Sequence, residues 1–413
     1  MLKKLRVKNF KSWQDTGEIN MAPITMFFGG NSSGKSSLLQ FLLMLKQTGE
    51  AEDYSGQIFK FNGAVDLGNY KEVVFGHDKG NTIEFSISRE EGSSYYDPFR
   101  DGIESFLAEV AEEEGNMVIK NLEITHSSSS KKDLTEKSSA GRRMEDLKKN
   151  IKSFLNHKKN DEAEHFIRRY WRYSFLLPFV FGIEHIGPLR QHPLRNYQWR
   201  NNHPTEIGAQ GEFAIQTIIA SNLKKGVLER NIAKALKQMG LIDSFKVKSM
   251  TKSSDEYYKV LVRKTKGSAE VLLPDVGFGV SQILPILTTL FHTKPGAILL
   301  LEQPEIHLHP KAQIELADVI IDAVKTKKIQ VIIESHSEHF LTRIQTRIAQ
   351  GKISKDFTKI YFCKNDTGAS ALEELRLNEA GDIENWPENF FGDILGESAD
   401  RVISFLENRN KKS

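Results

Sequence analysis

The eight residues Gly29-Gly30-Asn31-Ser32-Ser33-Gly34-Lys35-Ser36 constrain this chain more than any other stretch, because they satisfy G-x-x-x-x-G-K-[ST] in a telling context. Ile24-Thr25-Met26-Phe27-Phe28 reads as a short apolar strand running straight into the glycines. After them, Leu38, Leu39, Phe41, Leu42, Leu43 and Leu45 are apolar nearly all round, the pattern of a buried helix. Strand, glycine loop and helix open an α/β unit built to hold phosphate. Glycines let backbone N–H groups converge on phosphate oxygens, and the helix N-terminus adds partial positive charge. Lys35 is expected to reach the β- and γ-phosphates of ATP as a point charge, and the Ser36 hydroxyl to ligate Mg²⁺. Gly29, Asn31, Ser32, Ser33, Gly34 and Ser37 complete the expected cradle.

Composition narrows the setting. The 413 residues are enough for two to three domains of core, and 57 Lys+Arg against 54 Asp+Glu leave a net charge of +3. Charge balance alone therefore does not announce a nucleic-acid binder. One cysteine, Cys363, cannot form an internal disulfide and excludes a cysteine-built zinc site. The first eight residues offer no signal-peptide core, and the longest uncharged stretch, Val276 to Thr293, is too polar for a membrane span. A cytoplasmic protein is expected.

Four regions are expected along the chain: an N-terminal lobe with the phosphate loop (1–95), a helical insertion (96–175), a C-terminal lobe (176–365) and a small extension (366–413). Leu5 to Phe10 alternates apolar and polar residues like an edge strand. Glu104 to Glu114 reads as an acidic amphipathic helix, Ser127 to Lys132 as a loop tip, and Arg142 to His157 and Asp161 to Tyr173 as charged helices. The basic block Lys148-Lys149, Lys152, Lys158-Lys159, Arg168-Arg169 is read as a solvated helix face, with nucleic-acid contact as the alternative. Ala297 to Leu301 and Ile329 to Ile333 look like central parallel strands, with Lys311 to Val324 a crossover helix between them. No fixed-period repeat or sustained heptads occur.

Three further motifs follow the phosphate loop. Val276-Gly277-Phe278-Gly279-Val280-Ser281-Gln282 places small residues before a helix from Ser281 to Leu290, and 23 positions after Gly279 an apolar strand ends in Glu302-Gln303-Pro304-Glu305. His336, in Glu334-Ser335-His336-Ser337-Glu338-His339, lies 34 positions beyond Glu302 after another buried strand. In this order and spacing the chain resembles the ABC-type ATPases. The resemblance implies a divergent signature motif whose Gly279, Ser281 and Gln282 face the γ-phosphate held by a second subunit. It also implies Glu302 as the magnesium-side acid of a Walker B strand, His336 as the switch histidine, and Leu308-His309-Pro310 as the loop crossing a dimer interface. The implied fold is α/β: a P-loop ABC-type ATPase head with a mostly parallel central sheet, an N-terminal antiparallel portion and a helical insertion.

Finer details resemble the SMC/RecF/OLD branch. Asn9-Phe10-Lys11-Ser12-Trp13, Pro304-Glu305-Ile306-His307-Leu308-His309-Pro310, Ile186-Gly187-Pro188-Leu189-Arg190 and Trp386-Pro387-Glu388-Asn389-Phe390-Phe391 are similar to the overcoming-lysogenisation-defect ATPases. Residues 340–413 are too few for the TOPRIM nuclease domain of full-length OLD proteins. Where most relatives place a second glutamate to orient the attacking water, this chain has Gln303. A neutral amide positions water but cannot accept its proton, so slow turnover is expected, with Glu305 a candidate substitute base. Gln57 is a weak match to the family's glutamine loop, and neither Phe10 nor Trp13 is uniquely placed to stack on adenine.

The functional expectation is a dimerising, slowly hydrolysing ATPase that regulates a partner effector. OLD-like ATPases without a nuclease resemble the ATPase subunits of Septu-like anti-phage systems, which implies a separate HNH-type nuclease as that partner. The alternatives are a RecF/SMC-like DNA-binding ATPase in repair, using a patch at Lys224-Lys225, Arg230, Lys234 and Lys237, an autonomous nuclease, or a transporter subunit. A metal-dependent hydrolase built from His307, His309, His336, His339, Glu302, Glu305 and Glu334 is a further reading.

Overall fold

The computed structural model describes residues 1–51, 58–90, 103–126, 176–180, 182–200, 203–250, 257–365, 368–387 and 390–391. Its first elements are β1 (Leu2–Phe10), β2 (Trp13–Asp15), β3 (Ile19–Asn20), β4 (Ile24–Gly29), α1 (Lys35–Gly49), β5 (Ile83–Arg89), β6 (Ile103–Glu113) and β7 (Asn116–His126). There follow β8 (Ile183–Ile186), β9 (Tyr197–Gln198), α2 (Ala214–Leu223), α3 (Leu228–Gln238), β10 (Ser244–Ser249), β11 (Tyr257–Arg263), β12 (Glu270–Leu272) and α4 (Phe278–His292). The chain then runs through β13 (Ile298–Glu302), α5 (Pro310–Lys327), β14 (Gln330–Glu334), α6 (Glu338–Ala349), β15 (Thr358–Lys364) and β16 (Ala371–Leu375).

The central sheet has the order β16-β15-β4-β14-β13-β8. Its five strands from β15 to β8 are mutually parallel, and β16 is antiparallel at one edge. The apolar runs of its strands follow from burial on both faces. Ile24, Met26 and Phe28 of β4 pack with α4, α5 and α6, while Phe27 points the other way into a cluster with α1 and β1. Leu299 and Leu301 divide from Ile298 and Leu300 in the same manner.

An antiparallel sheet, β2-β1-β5-β6-β7 with β3 also on β1, covers the far side of α1. Helix α1 is thus enclosed on both sides, which is why Leu38, Leu39, Phe41, Leu42, Leu43 and Leu45 are each no more than 1% exposed. Burial of each such side chain is worth about 1.5–3 kcal/mol. A third, smaller antiparallel sheet carries β9 to β12.

Two sequence expectations are corrected. β1 is not an edge strand, since β5 pairs along one side of it and β2 and β3 along the other. Glu104 to Glu114 is not a helix: β6 and β7 form a long hairpin that extends the antiparallel sheet from β5, across the expected 95/96 boundary. Phe106, Ala108 and Val110 are buried at period two, and two-residue alternation within a sheet outcompeted the acidic helix reading. The rest of the expected helical insertion, including the loop tip, both charged helices and the basic block, lies outside the described residues, as does Gln57. The boundary expected at 365/366 falls inside the β15–β16 hairpin. No helix among the described residues is long and apolar enough to cross a membrane.

Candidate nucleotide site

Three neighbouring parallel strands, β4, β14 and β13, end at one level and deliver the motifs to one edge of the sheet. The loop after β4 is forced into shape by close neighbours. At Gly29, with φ +143°, a Cβ would lie 2.2 Å from the Cys363 carbonyl oxygen on β15. At Gly34, with φ +96°, it would lie 2.5 Å from Ser370 Oγ, 2.9 Å from Ser12 Oγ and 2.9 Å from Trp13 Nε1. Glycine is required at both positions.

Trp13 is fully buried and donates its indole N–H to the Gly34 carbonyl at 3.0 Å, so it braces the loop and is not free to stack on a base. Ser12 and Ser370 bond through their hydroxyls at 2.7 Å, and the Ser370 N–H donates to the Ser12 carbonyl at 2.7 Å. This clamp, from the start and the end of the chain, was not read from the sequence. Its only signal was Ser12-Trp13 within the resemblance to OLD-like ATPases.

The loop opens a cleft of about 250 Å³ lined by residues 31–37 together with Ser12, Gln303, Glu334 and His336. Lys35 is 3% exposed and donates to the carbonyls of Gly30 at 2.7 Å and Gly29 at 3.1 Å. Burial pulls its ammonium below the usual lysine value, and Glu334 partly opposes that. Glu334 Oε1 is 3.9 Å from Lys35 Nζ, and burial pushes its carboxyl up. Burial, then the Lys35 charge, lowers His336, favouring neutral imidazole in the cleft.

Gln303 adopts φ +43°, a left-handed conformation rare for a side-chain-bearing residue. Its N–H donates to the Glu334 carbonyl at 2.8 Å, and Arg190 Nη2 donates to the carbonyls of Glu302 and Gln303, each at 3.0 Å. The bend that turns Gln303 into the cleft is therefore held from two sides. Arg190 is 7% exposed and burial lowers it to about 10.

The remaining expected site residues are placed differently. The Glu302 carboxylate is 2.7 Å from His185 Nε2 and is not among the residues lining the cleft. Glu305 is 6% exposed; its Oε1 accepts from Ser335 Oγ at 2.8 Å and the His336 N–H at 2.7 Å, which ties the loop after β13 to the backbone at His336. Burial raises its carboxyl. It faces a second chamber of about 460 Å³, which shares Gln303 and His336 with the phosphate cleft.

Gly279, Ser281 and Gln282 also lie away from the cleft of their own chain. Helix α4 begins at Phe278, three residues earlier than expected. Ser281 Oγ donates to the Phe278 carbonyl at 2.8 Å, and the Gln282 side chain is core, with the residue 2% exposed. A Cβ at Gly279 would sit 3.0 Å from the His307 carbonyl oxygen, so the small residue permits contact with the loop after β13.

Oxygen donors suit magnesium, which takes one or two carboxylates with phosphates and water. Ser36 and Glu334 line the same cleft, and the Glu334 Oε2 is buried without a partner among the described residues. The donor set fits the ion. No group of three or more His, Cys, Asp or Glu among the described residues is placed to hold a metal ion.

Comparison with known proteins bears on the fold and the family. The Smc head bound to the C-winged helix domain of ScpA is 14% identical, covers 92% of this chain and 98% of its own, and superposes with a TM-score of 0.51. The SMC head domain from Thermotoga maritima is 12% identical, with 91% and 99% coverage and a TM-score of 0.45. The first likeness shows the fold, an SMC-head-like P-loop ATPase. A search of curated proteins finds no match. Residues 353–400 match a family described as a protein of unknown function (DUF3696). Residues 24–342, spanning the phosphate loop, the glycine motif before α4, the β13 acids and His336, match one family as a unit, and the chain belongs to it: "AAA domain, putative AbiEii toxin, Type IV TA system".

Proposed function

We propose that this chain binds ATP with Mg²⁺ at the 29–37 loop, hydrolyses it slowly, and pairs with a second copy whose α4 N-terminus completes the site. The observation that carries this reading is the convergence of Lys35, Ser36, Gln303, Glu334 and His336 on one cleft at the ends of three adjacent parallel strands. Backbone N–H groups of the loop and the start of α1 hold the phosphates, and Lys35 leaves the Gly29 and Gly30 carbonyls to meet them. Ser36 and an acid from the strand ends would hold the magnesium ion, which would supply neutralisation of the charge that develops on the phosphates.

Gln303 orients the attacking water. Its amide cannot take the proton, and general-base help typically supplies about 10²–10⁴-fold, so turnover is slow and the ATP-bound dimer is long-lived. Neutral His336 donates to the γ-phosphate, and Glu305 holds its loop in place. Gly279 and Ser281 lie outside their own chain's cleft, as residues contributed to another copy's site would. Phe278, 43% exposed beside His307 at 4.8 Å, gives that helix start an apolar contact surface.

The dimer's opening and closing would control a separate effector, an HNH-type nuclease, in anti-phage defence. The family's description, "AAA domain, putative AbiEii toxin, Type IV TA system", is the support for a conflict role. Equilibrium binding of a fluorescent ATP analogue tests the core reading. Lys35→Ala should abolish binding and hydrolysis, and a wild-type chain that binds no ATP refutes it. Loss of phage protection in the same variant, expressed with its neighbouring gene, tests the defence role.

A further inference from the structure

Four residues after β8 ends, one side chain turns back into the protein. Leu189 is 80% exposed, whereas its neighbour Arg190 is 7% exposed. The two carbonyls that Arg190 Nη2 meets at 3.0 Å, those of Glu302 and Gln303, belong to the two peptide planes on either side of the Gln303 Cα. Peptide planes are rigid, so the rotation between these two is the φ and ψ of Gln303. That residue holds φ +43°, a conformation a side-chain-bearing residue keeps only when its surroundings impose it. The Gln303 N–H bond to Glu334 reaches the first plane, and the Ile306 N–H, donating to the Gln303 carbonyl at 3.1 Å, reaches the second. Arg190 ties the two planes together.

The guanidinium is itself anchored. Gly187 N–H donates to the Ala209 carbonyl at 2.8 Å and Gln191 N–H to the Gln210 carbonyl at 2.9 Å, so the backbone is fixed on both sides of Arg190. The next residue, Gly211, packs against α4, where a Cβ would lie 2.3 Å from Pro285 Cβ. Arg190 Nε and Nη1 are buried without partners among the described residues. A buried cation satisfied this incompletely is a poor source of stability. Its contacts are spent instead on the bend at Gln303, and it is not among the residues lining the phosphate cleft.

Building on the ATP-hydrolysis reading, we propose that Arg190 is a positioning residue for that reaction: by gripping both peptide planes around Gln303, it aims the amide that orients the attacking water. Arg190 acts through Gln303 and leaves the binding of the phosphates to the 29–37 loop.

Single-turnover γ-phosphate release from radiolabelled ATP, with ATP affinity measured in parallel, tests this in the full chain. Arg190→Lys keeps the charge but loses the planar fork, and should slow release by about tenfold or more while affinity stays within about threefold. In a Gln303→Ala background the same substitution should change the rate by less than about twofold, because the group it positions is gone. A rate in Arg190→Lys within about threefold of wild type, an equal loss in both backgrounds, or a loss of affinity that matches the loss of rate overturns the proposal. Circular dichroism reports folding, and if Arg190→Lys does not fold, Arg190→Gln is judged by the same criteria. A wild-type chain that hydrolyses ATP beside an unimpaired Arg190→Lys overturns this inference only, whereas a wild-type chain that binds no ATP overturns the reading beneath it as well.

Discussion

Replacing Glu184 by glutamine should change how the fold's stability responds to pH. Glu184 sits on β8, the strand that pairs with β13. Its Oε1 accepts the Thr293 hydroxyl at 2.9 Å, and its Oε2 is buried without a partner among the described residues. Burial pushes its carboxyl from 4.5 to about 7, only partly opposed by the Thr293 bond. Because the folded value lies above the unfolded one, the folded state binds the extra proton. The associated stability is fully present below 4.5 and is lost as pH rises through about 7. At 1.36 kcal/mol per pH unit, the whole effect is about 3 kcal/mol, of which about 2.5 kcal/mol falls between pH 5 and pH 8. Glutamine keeps the acceptor for Thr293 and has no proton to lose. Urea unfolding of both chains across that range, compared pH by pH, cancels every other titrating group. The variant should gain about 2.5 kcal/mol on wild type from pH 5 to pH 8. A difference that stays constant with pH would refute the argument.

Further outcomes follow from the cleft. Trp13→Phe removes the indole bond to the Gly34 carbonyl, worth about 1 kcal/mol, and should weaken ATP binding about fivefold by titration; unchanged affinity would mean the loop holds its shape unaided. Gln303→Glu restores a proton acceptor and should accelerate single-turnover γ-phosphate release by about 10²-fold or more. No acceleration would count against water activation at that position.

Much of the fold was legible because burial leaves a periodic trace. β4, β13 and β14 are apolar on both faces, α1 is apolar all round, and the glycine loop between β4 and α1 has few alternatives. β6 was misread because Glu104, Glu109, Glu112 and Glu113 suggested a solvated helix, while the signal that mattered was Phe106, Ala108 and Val110 at period two. Within the site, Lys35, Ser36, Gln303 and His336 could be placed because each follows a buried strand at a fixed offset. Partners brought together only by strand order could not. Ser370 closes on Ser12 from 358 positions away, and His185 reaches Glu302 across 117. Glu334 gave one faint cue, its position at the end of a strand parallel to the one ending in Glu302.

The claim on which all this turns is that one copy's phosphate loop works with another copy's helix start. Lys35→Ala and Ser281→Arg chains, each inactive alone, should recover ATP hydrolysis when mixed, because a heterodimer joins one intact loop to one intact partner helix. If the mixture stays as inactive as its components while wild-type chains hydrolyse ATP, the shared site does not exist.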